Sequence, residues 1–184
     1  MNYNKIYINM NNTQSFLCPN IKTFSTFLNE SGGCFTGDSL IKVVNEYDIT
    51  NYIKVSEVTR GTRVMTHDEI AMVKCVVRFK FTGNICQYGT LGITDYHPVF
   101  FEYMDWKFPV ENEKFKKRFI ENEYLYNFIL DKYNTVELNG VFAVTLNHGF
   151  TGKVVGHEYF GTNCIQDDLM KHHEWNKGYI TLDS

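Results

Sequence analysis

Three prolines, two tryptophans and no long apolar run are the first features of this 184-residue chain. So little proline argues against a Pro-rich linker or collagen-like character. Nowhere do about 18 apolar residues follow one another, and the stretch through Leu17 is broken by Asn, Tyr and Thr, so neither a membrane span nor a signal peptide is expected. Charge of one sign is also lacking. Eighteen basic and 21 acidic side chains leave a formal charge of −3, no field for a phosphate backbone or an anionic membrane, so nucleic acid and membrane are not expected as partners. Five cysteines are too few and odd in number for a secreted disulfide framework, so reduced thiols and a cytoplasmic location are expected.

What the chain does have is 43% hydrophobic residues, 16% of all residues being aromatic, enough for one globular core. Residues 1–33 are rich in Asn, Ser and Thr and close on Ser31-Gly32-Gly33, read as a flexible junction to a domain over residues 34–184. From Cys34 onward short β-branched and aromatic runs alternate with turn signals: Leu40 to Val44, Ala71 to Val77, His97 to Phe101 and Leu125 to Leu130. A mostly β fold is expected. Asn139-Gly140 between Thr135 to Leu138 and Val141 to Val144 predicts a two-residue hairpin. Gly61 followed by Val64 predicts a turn into a strand, and Cys164 to His173 is the best helix candidate, in the C-terminal tail. Glu111 to Glu123 carries four acids and four bases and reads as a solvated helix or loop face, or else a docking patch.

Cysteine is the strongest nucleophile at neutral pH but needs help to lose its proton. Cys18, Cys75, Cys86 and Cys164 sit beside apolar residues and read as small hydrophobes. Cys34 follows two glycines and leads into a turn and a strand, so its thiol stands beside a deformable peptide bond whose carbonyl it can attack; an ordinary turn cysteine is the alternative. In Thr94-Asp95-Tyr96-His97-Pro98, Pro98 confines His97 to extended conformations, and a histidine there can protonate a departing amide nitrogen while the threonine hydroxyl holds it. A capped turn with a surface histidine is the other reading.

These segments resemble the Hint family, the self-processing domains of inteins and hedgehog proteins. Cys34-Phe35-Thr36-Gly37-Asp38-Ser39-Leu40-Ile41 looks like its first block, Thr94-Asp95-Tyr96-His97 like its T-x-x-H block, and Leu125 to Asp131 with Asn139-Gly140-Val141 like its last. Thr145 to Phe150 and Gly156 to Thr162 are similar to the Vint subgroup. The resemblance implies a compact Hint-type β fold, with a short helix in the C-terminal tail, that performs an N-to-S acyl shift. Cys34 would attack the carbonyl of Gly33, converting the Gly33-Cys34 peptide into a thioester, while Thr94 and His97 strain and protonate the leaving nitrogen. The substrate would be the chain's own N-terminal segment, the acyl acceptor water or a small nucleophile, and the protein a monomer needing no cofactor. Inteins end their last block on His-Asn; Val144 and Thr145 stand there, so asparagine cyclisation and full splicing are not expected, and hydrolysis is. Asn127 stands where inteins often carry aspartate, which removes one possible base. Thr145 falls where hedgehog proteins place a late cysteine. His148 and His157 are candidates for the base of the second step, or simply fasten the tail to the core. His172, His173 and Cys164 lack the spacing of a zinc site. A catalytically silent interaction module and a cysteine peptidase acting in trans through Cys34 and His97 are the competing functions.

Overall fold

A computed structural model describes residues 33–101 and 105–182, so the upstream segment and the Ser31-Gly32 part of the expected junction lie outside the described residues. Twelve strands form among them: β1 (Phe35–Thr36), β2 (Leu40–Val44), β3 (Thr50–Lys54), β4 (Arg63–Met65), β5 (Ile70–Tyr88), β6 (Leu91–Ile93), β7 (Val99–Phe101), β8 (Asp105–Lys107), β9 (Lys116–Leu130), β10 (Thr135–Leu138), β11 (Val141–Val144) and β12 (Tyr179–Leu182). One α-helix, α1 (Asn163–Met170), follows in the C-terminal region, its first turn capped by the Thr162 hydroxyl, which accepts from Cys164 N. The mostly β expectation and the helix in the tail both hold.

The frame is a ribbon of β5 and β9, antiparallel from Val73 opposite Leu130 to Gln87 opposite Lys116, with register shifts between Val73 and Cys75 and between Phe81 and Gly83. β1 lies on β9 and pairs on its other side with β6, whereas β12 runs parallel to β5. The β10–β11 hairpin turns at Asn139 and Gly140 with φ of 49° and 75°, the left-handed pair that this dipeptide accepts with little strain.

One local expectation fails. The charged run is not a helix or loop throughout, because from Lys116 it forms the first half of the 15-residue strand β9. Along this half of the strand Lys116, Lys117, Glu121 and Asn122 stay exposed, Arg118 and Glu123 are half-buried and Ile120 is buried. The charges pair across the chain, Lys117 with Asp95 and Arg118 with Asp38. Such exposed pairs contribute little stability; the first joins β9 to the Thr94 to His97 turn and the second joins it to the turn between β1 and β2.

Two apolar clusters form the core. Phe35, Phe128, Val99, Leu138 and Ala143 belong to one; Cys34, Cys75, Leu146, Tyr159 and Ile165 belong to the other. Cys34 and Phe35, adjacent in sequence, therefore feed opposite clusters, which places the Gly33-Cys34 peptide at the seam between them.

Candidate active site

The T-x-x-H spacing is that of one tight turn, closed by His97 N–H donating to the Thr94 carbonyl at 3.2 Å. Because Ile93 of β6 pairs with Phe35 of β1, this turn falls beside Cys34. Two bonds lock the contact: Cys34 N–H donates to Thr94 Oγ1 at 3.0 Å, and Thr94 N–H donates to the Cys34 carbonyl at 3.0 Å. The nitrogen of the Gly33-Cys34 peptide is thus held by the threonine hydroxyl.

His97 is fully buried and its ring lies 4.5 Å, centroid to centroid, from that of Phe35. The imidazole also packs against the α-carbon of Gly33 so closely that a Cβ there would stand 2.5 Å from Cγ and 2.8 Å from Nδ1. Its Nε2 is 2.7 Å from the Val144 carbonyl, which can only accept, so Nε2 carries the proton and Nδ1 bears a bare lone pair. Among the described residues Nδ1 makes no well-formed hydrogen bond. Burial pushes the imidazole down to about 4, against a smaller upward pull from the Val144 and Cys34 backbones, so the ring is neutral at pH 7.

The cysteine thiols share one electrostatic fate. Burial pushes the Cys34 thiol far above its ordinary value and raises Cys75 to about 12 and Cys86 to about 11. Cys34 therefore rests as a protonated thiol inside the apolar cluster. Cys34, Cys75 and Cys86 are free, but Cys164 is disulfide-bonded, contrary to the expectation of a reduced hydrophobe.

Opposite β1, the register that pairs Phe35 with Tyr126 continues to Asn127, whose Nδ2 donates to the Gly33 carbonyl oxygen. The residue read from sequence only as a missing base therefore touches the Gly33 carbonyl. A cavity of about 150 Å³ opens here, with Gly33, His97, Asn127, Thr145, His148 and His157 in its wall. Thr145 is 1% exposed, and its hydroxyl has no hydrogen-bond partner among the described residues.

His148 and His157 reach this cavity from the tail, which folds back through Asn147 N–H to the Phe160 carbonyl and Gly149 N–H to the Gly161 carbonyl. His148 Nδ1 accepts from Phe150 N–H, and His157 Nδ1 accepts from the Tyr159 and Phe160 N–H groups. Both rings accordingly carry their proton on Nε2. Burial, reinforced by the charges of His97 and His157, pushes His148 down to about 4. These rings offer an N–H donor, with the nitrogen a base would use already engaged. Among the described residues no group of three or more His, Cys, Asp or Glu side chains is placed to hold a metal ion, and no helix is long and apolar enough to cross a membrane.

The family model for Vint, a Hint domain, matches residues 33–184. The chain belongs to the Vint family of Hint domains. Its strand order and its short helix are therefore those of a Hint fold, and self-processing is the general activity this membership supports. Among solved structures it is similar to the DnaB intein from Synechocystis sp. PCC 6803, at 14% identity and a TM-score of 0.49, over 61% of this chain and 98% of that one. It is also similar to the gp41-1 intein, at 9% identity and a TM-score of 0.46, over 62% of this Vint chain and 99% of the intein. No curated protein matches it.

Proposed function

We propose that this Vint domain cleaves its own chain at the Gly33-Cys34 peptide through a thioester, which water then resolves. The observation that carries the reading is the treatment of that single peptide: its nitrogen bonded to the Thr94 hydroxyl and its Gly33 α-carbon in contact with a neutral His97 whose Nδ1 is bare. A ring with a pKa near 4 brings no proton of its own at pH 7. It must first act as a base. His97 Nδ1 takes the proton from the Cys34 thiol, and the sulfur attacks the Gly33 carbonyl carbon. As the carbon–nitrogen bond breaks, the same Nδ1–H protonates the departing nitrogen of Cys34, leaving a Gly33 thioester on Cys34 and a free amine. A donor so positioned is worth about 10²–10⁴ in rate.

Water entering the cavity then adds to the thioester carbon, and the carbon–sulfur bond breaks. Gly33 leaves as a carboxylate and the thiol of Cys34 is restored. His148 and His157, as Nε2–H donors, would orient that water. Val144 and Thr145 occupy the positions at which inteins carry His-Asn, and the Val144 carbonyl instead anchors His97, so splicing is not part of the reading. The substrate is the segment ahead of Cys34. The complete burial of Cys34 gives a foreign peptide no path to the thiol, which disfavours a peptidase acting in trans.

Intact mass of the purified chain, with and without dithiothreitol, tests the proposal. The parent should yield a fragment beginning at Cys34, faster with the thiol, and Cys34→Ala should remain whole. A parent that stays whole under both conditions overturns the reading in favour of a silent interaction module.

A further inference from the structure

Asn127 is 2% exposed, and its amide is oriented beyond ambiguity. Its Oδ1 accepts from Phe128 N–H at 2.7 Å, which leaves the NH₂ group to face the Gly33 carbonyl oxygen, its bonded partner. Among the described residues no other side chain donates to that oxygen. As sulfur attacks in the acyl shift, negative charge gathers on the carbonyl oxygen that the Asn127 amide already faces. A fixed N–H donor there gains strength as the charge develops. A carboxylate would oppose the same charge.

We propose that Asn127 is a catalytic residue of this domain, the donor that holds the Gly33 carbonyl oxygen and stabilises the oxyanion formed when Cys34 attacks. The assignment rests on the acyl-shift reading above. No proton passes through Asn127: sulfur and carbon bond, carbon and nitrogen part, and the amide contributes only its hydrogen bond. Asparagine at this position is then a working donor suited to a protein whose base is His97.

Asn127→Asp is the sharpest variant, because it is nearly isosteric, keeps the acceptor for Phe128 N–H and removes the donor. With thioester formation followed by dithiothreitol-induced cleavage, Asn127→Asp and Asn127→Ala should each slow the shift by about 10²–10³-fold, the usual loss for one such donor. A second measurement needs no turnover. In Cys34→Ala protein labelled with ¹³C-carbonyl glycine and ¹⁵N-alanine, position 34 is the only alanine that follows a glycine, so the Gly33 carbonyl is read by itself. Its ¹³C resonance should move upfield when Asn127→Asp or Asn127→Ala removes the hydrogen bond. An Asn127→Asp chain that forms thioester as fast as the parent or faster overturns the assignment, as does an unchanged carbonyl resonance. Absence of any thiol-sensitive species in the unmutated parent would instead overturn the acyl shift itself, and this role with it.

Discussion

Acidification from about pH 7 to pH 5 should remove about 4 kcal/mol from the stability of the folded domain, and two histidines should carry the loss. His97 and His148 are both buried, at 0% and 7% exposure, and burial holds each imidazole down to about 4. In the unfolded chain each returns to about 6.5. The folded values lie below the unfolded ones, so the unfolded chain binds more protons throughout the window between them. The stability that each neutral ring contributes is complete above about pH 6.5 and is lost as pH falls toward about 4. At pH 5 that amounts to about 2 kcal/mol per ring, since each pKa unit is worth about 1.4 kcal/mol. Two rings together remove a large part of the roughly 5–15 kcal/mol that holds a typical domain folded. Asp38, whose carboxyl is held below its ordinary range chiefly by Thr36 and Arg118 against its partial burial, gives up its contribution only at lower pH and does not blur the window. Urea unfolding of the uncleaved Cys34→Ala chain at the two pH values measures the difference. His97→Gln, which keeps a donor for the Val144 carbonyl, and His148→Gln should each reduce the loss by about half. Equal stability at both pH values would refute the reasoning, and so would a His97→Gln chain that loses as much as its parent.

The same neutral His97 predicts that the rate of thioester formation holds nearly level from about pH 7 to pH 5; an ordinary imidazole base would lose about 25-fold over that range, and such a profile would remove the buried ring from the first step. Gly33→Ala should slow cleavage by about 10²-fold, because the new Cβ would stand 2.5 Å from Cγ of a ring already pinned by Val144 and Phe35; misplacement of about 1 Å has that effect. Cleavage within a few-fold of the parent, followed by intact mass, would show that this position needs no close approach. Thr94→Val should leave the Cys34 N–H without its acceptor, lowering stability by about 1–3 kcal/mol in urea unfolding and slowing the shift; an unchanged midpoint would deny that the bond matters.

The features legible in the sequence are those written within a few adjacent residues. Asn139-Gly140 fixes its hairpin because the dipeptide accepts positive φ at both positions. Pro98 and the three-residue spacing fix the Thr94 to His97 turn, and short β-branched runs fix most strands. The order of the sequence blocks points to the fold. The rest depends on partners far along the chain. Lys116 to Glu123 looks like a solvated face because its pairing strand, β5, lies some thirty to forty residues earlier, and cross-strand hydrogen bonding leaves no local mark. Thr94 meets Cys34 across 60 positions and Asn127 meets the Gly33 carbonyl across 94, so that the apparently missing base donates a hydrogen bond there is decided by register. The sequence offers His97 as a candidate proton carrier, but burial and the Val144 carbonyl decide which nitrogen is bare and that the ring is neutral. Residue identity supplies the chemical groups; desolvation and hydrogen bonding, which exist only once distant segments pack, set their protonation and their aim.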